Sequence, residues 1–131
     1  MRFFTAAGLA LVGTVAVQTA SMAHHSVGGQ FDVSKSVVLV GTVARVDWVN
    51  PHIYVHLDVK DAQGKVVQWS LGTVPVAMAR KAGITKESLF AAGQTLKMTI
   101  YPARDGTANL GFLRKIEYPD GHVVEVTPDK L

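Results

Sequence analysis

Apolar residues along the chain recur mostly at alternate positions, and this alternation marks out strands. From Val37 to Trp48 the chain is rich in β-branched residues, with Val38, Val40, Thr42, Ala44, Val46 and Trp48 read on one face and Gly41 read as a bend or bulge. Asn50-Pro51 ends this first strand, because proline lacks a backbone donor and restricts the residue before it. A second strand alternates cleanly from His52 to Val59. Ile53, Val55, Leu57 and Val59 face inward, while His52, Tyr54, His56 and Asp58 face the other way. Asp61-Ala62-Gln63-Gly64 reads as a hairpin turn, and Val66 to Leu71 returns as a third strand with Val67, Trp69 and Leu71 on one face.

The period then changes. Pro75 to Ala82 carries good helix formers, with Pro75 suited to a first turn, Arg80 and Lys81 complementing the C-terminal dipole and Gly83 suited to the cap. Thr85 starts a further turn through Leu89 and Phe90 that ends near Gly93. Strands resume with Leu96, Met98 and Ile100 alternating against Lys97, Thr99 and Tyr101. A fifth strand spans Leu110 to Tyr118, and Asp120-Gly121 leads into a short sixth from His122 to Val126. Three strands, a helical segment, then two strands and an edge is the order of a small antiparallel OB-like β-barrel, an all-β fold with one short helical segment. A β-sandwich competes, but a helix after the third strand suits the end of a barrel, and closure removes exposed edges.

Ahead of the barrel, Met1-Arg2 supplies a positive start, Phe3 to Val17 an uncharged apolar stretch, and Ser21-Met22-Ala23 the small-x-small pattern of a signal peptidase site. The chain thus divides into a signal peptide (1–23), an extended arm (24–36) and a barrel domain (37–131), with periplasmic or secreted localisation and no membrane span after cleavage. The signal's core is interrupted by Thr5, Gly8, Gly13 and Thr14, which argues against a retained anchor. An apolar content of 48% excludes a disordered chain. The formal charge of +3, reduced by one when Arg2 is removed, is too small to attract polyanions, so nucleic acid is a poor partner. No cysteine is present, so an oxidising compartment offers neither disulfide support nor disulfide risk.

His24-His25-Ser26, Phe31-Asp32 with Lys35, Gly41-Thr42-Val43, Trp48-Val49-Asn50-Pro51-His52 and Pro102-Ala103-Arg104-Asp105-Gly106 together resemble a family of small exported bacterial proteins classed as a domain of unknown function. The resemblance covers nearly all of the chain after the signal and implies the compartment and the fold, but no activity. Members often carry an acidic residue and a glycine after the third strand. This chain has Leu71-Gly72-Thr73 there.

The main chemical signal is histidine: all five, His24, His25, His52, His56 and His122, come after the cleavage site. Cleavage after Ala23 gives His24 a free α-amine beside its imidazole, a bidentate donor set for a borderline metal. His52 and His56 are about 13 Å apart along a regular strand and cannot bind one ion together. The candidate metal site is therefore His24 and His25 with His52, which borders the loop, or with His56 as second choice. Imidazoles without thiolates suit copper, zinc or nickel, with copper first in affinity. The plainer alternative is that the arm histidines are solvated, that His52 and Asn50-Pro51 shape a turn, that His122 is a turn residue, and that Trp48 and Trp69 belong to the core.

A metal-free alternative uses the face of the second and third strands, where OB-type barrels bind ligands. There Asn50, Tyr54 and Arg104 are the candidate ligand-binding residues, for a saccharide, a peptide, another small molecule or a periplasmic protein. No phosphate loop is present, and no serine shows a convincing histidine and acid partner at the level of sequence. The expectation is an exported, non-enzymatic binding protein.

Overall fold

A computed structural model describes residues 27–127. The stretch read as a signal peptide, His24 and His25 lie outside that range. Six strands, β1 (Val37–Trp48), β2 (Ile53–Lys60), β3 (Val66–Gly72), β4 (Thr95–Pro102), β5 (Leu110–Glu117) and β6 (Val123–Glu125), form one sheet. Two short helices, α1 (Val76–Lys81) and α2 (Lys86–Phe90), connect β3 to β4. The strand order is β3-β2-β1-β4-β5-β6, and β3 also pairs with β5 in parallel through Ser70↔Leu110, Leu71↔Gly111 and Gly72↔Phe112. That pairing closes a five-stranded barrel and leaves β6 as an added edge, in agreement with the OB-like reading.

The barrel interior is apolar. Ile53, Val55 and Leu57 of β2, Leu71 of β3, Leu96, Met98 and Ile100 of β4, and Leu113 and Ile116 of β5 are fully enclosed. Leu89 of α2 and Val76 and Ala79 of α1 join the same core. Trp48 and Trp69 pack against it while partly buried. The helical segment ends as its residues dictate. Gly83 takes a positive φ just past α1, and Thr85 caps α2 by accepting from the Ser88 N–H while Ser88 Oγ accepts from the Thr85 N–H.

The first strand differs from the alternation expected for it. Leu39, Val43 and Val46 are the inward residues, whereas Val38 and Val40 are more than half exposed. A bulge explains the change of phase: Val43 opposes Leu57, but Arg45 opposes His56, so Ala44 is extra. An inserted residue carries two successive side chains to the same side and restarts the alternation one step out of phase. Before the bulge odd positions point in; after it Val46 does. Gly41, expected to be the bend, instead permits a close approach, because a Cβ there would collide with the Asp58 carbonyl of β2.

The arm is tied to the barrel over its described part. Phe31 is buried against Tyr101 and Phe112, its ring 5.4 Å from that of Phe112, with Val27 and Leu110 at the edge of this second cluster. Its backbone forms a bridge with Ala103, and the Asp32 N–H donates to the Pro102 carbonyl at 2.9 Å.

Candidate functional site

Two rows of outward side chains cross the barrel where the bulge has reset β1. Register aligns Arg45, His56, Ser70 and Leu110 in one row across β1, β2, β3 and β5. The adjacent row holds Asp47, Tyr54, Gly72 and Phe112. Cross-strand neighbours on one face lie within side-chain reach, so residues far apart in the chain become a single cluster.

His56 is at the centre of that cluster, with its side chain only 12% exposed. Its Nε2 lies 2.7 Å from Asp47 Oδ2, and its Nδ1 lies 3.4 Å from Ser70 Oγ. A carboxylate only accepts, so Nε2 carries the proton and donates to Asp47. Nδ1 is then the acceptor for the Ser70 hydroxyl. Arg45 Nη2 is 3.0 Å from the same Nε2, but a protonated nitrogen offers it no lone pair. Its hydrogen bonds go to Asp47 instead, from Nε to Oδ1 at 2.8 Å and from Nη2 to Oδ2 at 3.2 Å. The His56 hydrogen bond and then Arg45 hold the Asp47 carboxyl below its ordinary value of 3.8.

Tyr54 supplies the aromatic part of the face and is 38% exposed. Gly72 stands beside it between the two rings; a Cβ there would make ordinary contact, 3.8 Å from the Tyr54 ring and 3.4 Å from that of Phe112. His52 is exposed in the loop before β2 and has no hydrogen-bond partner among the described residues. Asn50 is exposed in the same loop, ahead of a cis bond to Pro51.

Arg104, expected at the rim of the β2–β3 face, is engaged with the arm, donating from Nε to the Gly28 carbonyl at 3.0 Å and from Nη2 to the Phe31 carbonyl at 3.4 Å. It remains exposed, beside a cleft that it lines with Gly29, Gln30 and Asp105. His122 pairs with Asp120 and stacks on Tyr118 within the β5–β6 turn, consistent with its reading as a turn residue. Among the described residues no group of three or more metal-ligating side chains occurs, and no helix is long and apolar enough to cross a membrane.

Arg45, Asp47 and Ser70 are the cluster members that sequence reasoning missed. Ser70 carried a usable signal: the β2–β3 hairpin register puts it opposite His56. Asp47 carried one of the same kind: alternation with Val46 and Trp48 puts it on the other face, and the β1–β2 register sets it opposite Tyr54.

A family model for a family of unknown function, DUF6152, matches residues 11–112. The chain belongs to that family. The membership agrees with the resemblance read from the chain's motifs to an uncharacterised family. The DUF6152 match spans β1 through β4 and reaches Phe112 in β5, so Arg45, Asp47, Tyr54, His56 and Ser70 all fall within it. No curated protein and no solved structure matches the chain.

Proposed function

We propose that this DUF6152 protein is an exported, non-enzymatic binding module that takes an extended, hydroxyl-rich chain, an oligosaccharide, across the outward face of β1, β2 and β3. The observation that carries this reading is the pairing of Tyr54, an exposed ring, with Asp47 in its own row and Arg45, His56 and Ser70 in the next. A ring face with neighbouring donors and acceptors suits a sugar, which presents apolar C–H patches and hydroxyls together. The face is a sheet surface, and two clefts among the described residues lie elsewhere, at the β5–β6 turn and beside Arg104. A shallow face favours an extended partner over an enclosed small molecule. Export rests on the amino-terminal signal pattern.

The test is an NMR titration of the isotope-labelled chain with maltohexaose. The expected shifts are confined to Tyr54, His56, Ser70 and their neighbours and are lost in Tyr54→Ala. Absence of shifts at millimolar sugar, or shifts confined to the cleft at Tyr118, would overturn the reading.

A second reading keeps the copper site at His24 and His25, supported by His52, which is exposed and without a hydrogen-bond partner among the described residues. His56 is the weaker third ligand, because Asp47 and Ser70 already occupy its ring nitrogens. Copper titration of the processed chain should give tighter binding than a version with one residue added before His24. Equal affinities, or no loss in His52→Ala, would remove that site.

A further inference from the structure

We infer that Ser70 is an acylatable nucleophile, with His56 as its proton acceptor and Asp47 as the positioning residue, and that it takes acyl groups from activated esters. This goes beyond the binding reading and does not depend on it. A serine hydroxyl is a weak nucleophile unless a base stands at hydrogen-bonding distance, and the base must present an unprotonated nitrogen. In the neutral ring Asp47 sets the tautomer by accepting from Nε2, which leaves the lone pair of His56 on Nδ1, 3.4 Å from Ser70 Oγ. Such contacts are commonly long before a reactant is bound. The three residues come from three adjacent strands of a closed barrel, so their spacing is set by sheet register.

Ser70 Oγ attacks the ester carbonyl carbon while its proton passes to His56 Nδ1. The tetrahedral intermediate then collapses, the bond from the carbonyl carbon to the leaving oxygen breaks, and the leaving group takes the proton from the imidazolium. The products are acyl-Ser70 and an alcohol or phenol, with His56 neutral again.

The same geometry restricts the range of esters and the fate of the acyl group. The Ser70 N–H, a natural donor for the developing oxyanion, is already given to the Asn109 carbonyl at 2.9 Å. Arg45 lies at the Nε2 side of the imidazole, away from Ser70. With neither of these two donors turned to the oxyanion the intermediate is poorly stabilised, so only activated esters react and the acyl group is released slowly. The outcome is a modified serine with little turnover.

The experiment treats the full chain with p-nitrophenyl acetate and tracks acetylation of each serine by peptide mass spectrometry. Ser70 should acetylate about a hundredfold faster than exposed Ser36, the lower range for a positioned base. In His56→Gln that advantage should vanish. Asp47→Asn should reduce it, and Asp47→Glu should restore part of it, which a merely structural role for Asp47 would not do. The comparison between Ser70 and Ser36 within the unaltered chain decides the matter even where a variant fails to fold. Equal rates at the two serines, or an unchanged Ser70 rate in a folded His56→Gln, would overturn the proposal.

Discussion

His56 Nε2 and Asp47 Oδ2 meet at 2.7 Å across β1 and β2, and they do so because β1 carries one extra residue between Val43 and Arg45. Were Ala44 paired in the ladder instead of bulged out, the outward phase of β1 would carry Val46 and Trp48 in place of Arg45 and Asp47. Deletion of Ala44 should therefore turn the bulge into a regular ladder that keeps Val46 inward and Asp47 beside His56. The expected result is a loss in denaturant unfolding well short of the several kcal/mol that exposing a core residue costs. A loss of that size, or separation of Asp47 from His56, would show that Ala44 is not the extra residue that sets the face.

The hydrogen bond to Asp47 also predicts an acid limb in stability. The carboxyl is held below its ordinary value of 3.8 in the folded chain, chiefly by His56 and then by Arg45. A carboxyl depressed on folding adds stability that is complete above its unfolded value and is lost as pH falls through the folded one. Asp32, Asp105 and Asp120 are shifted in the same direction by their own hydrogen bonds. Thermal unfolding should thus lose ground below about pH 4, and Asp47→Asn should flatten part of that slope. An identical slope in the variant would remove Asp47 from the account.

Much of this architecture was legible because β2 is regular. Ile53, Val55 and Leu57 alternate without interruption, so period alone was enough to give their burial and the outward phase of Tyr54 and His56. The cap residues Thr85 and Gly83 were equally local in origin. Three features were not read correctly. A bend or bulge was expected at Gly41 but the bulge lies at Ala44, in a run where Leu39, Val43 and Val46 alternate with other apolar or small residues that fit either face. The anchoring of Arg104 depends on a contact with Gly28, far away in the chain. The meeting of Asp47 with His56 is a diagonal contact between neighbouring rows, which alternation alone does not give.

Gly41 makes a separate prediction from close approach. A methyl group at this position runs into the Asp58 carbonyl of the neighbouring strand. Backbone atoms there cannot give way as a flexible side chain would, so Gly41→Ala should cost about 1–3 kcal/mol in chemical denaturation. A neutral effect would mean that the two strands separate freely at that point.

Phe31 and Arg104 should act together on the arm. Phe31 is buried against Phe112 and Tyr101, and Arg104 holds the carbonyls of Gly28 and Phe31. Phe31→Ala should destabilise the protein by about 3 kcal/mol or more. In both Phe31→Ala and Arg104→Ala, amide hydrogen exchange should quicken at Phe31 and Asp32 while Leu57 stays protected. Unchanged protection at Phe31 and Asp32 would show that other contacts hold the arm.

The most direct test is the protonation of one ring. Nitrogen-15 NMR of the isotope-labelled chain distinguishes the two neutral imidazole tautomers. The prediction is that neutral His56 carries its proton on Nε2, with Nδ1 bare toward Ser70, and that Asp47→Asn disturbs this preference. A proton on Nδ1 of neutral His56 would contradict the orientation by Asp47 on which this reading of the face is built.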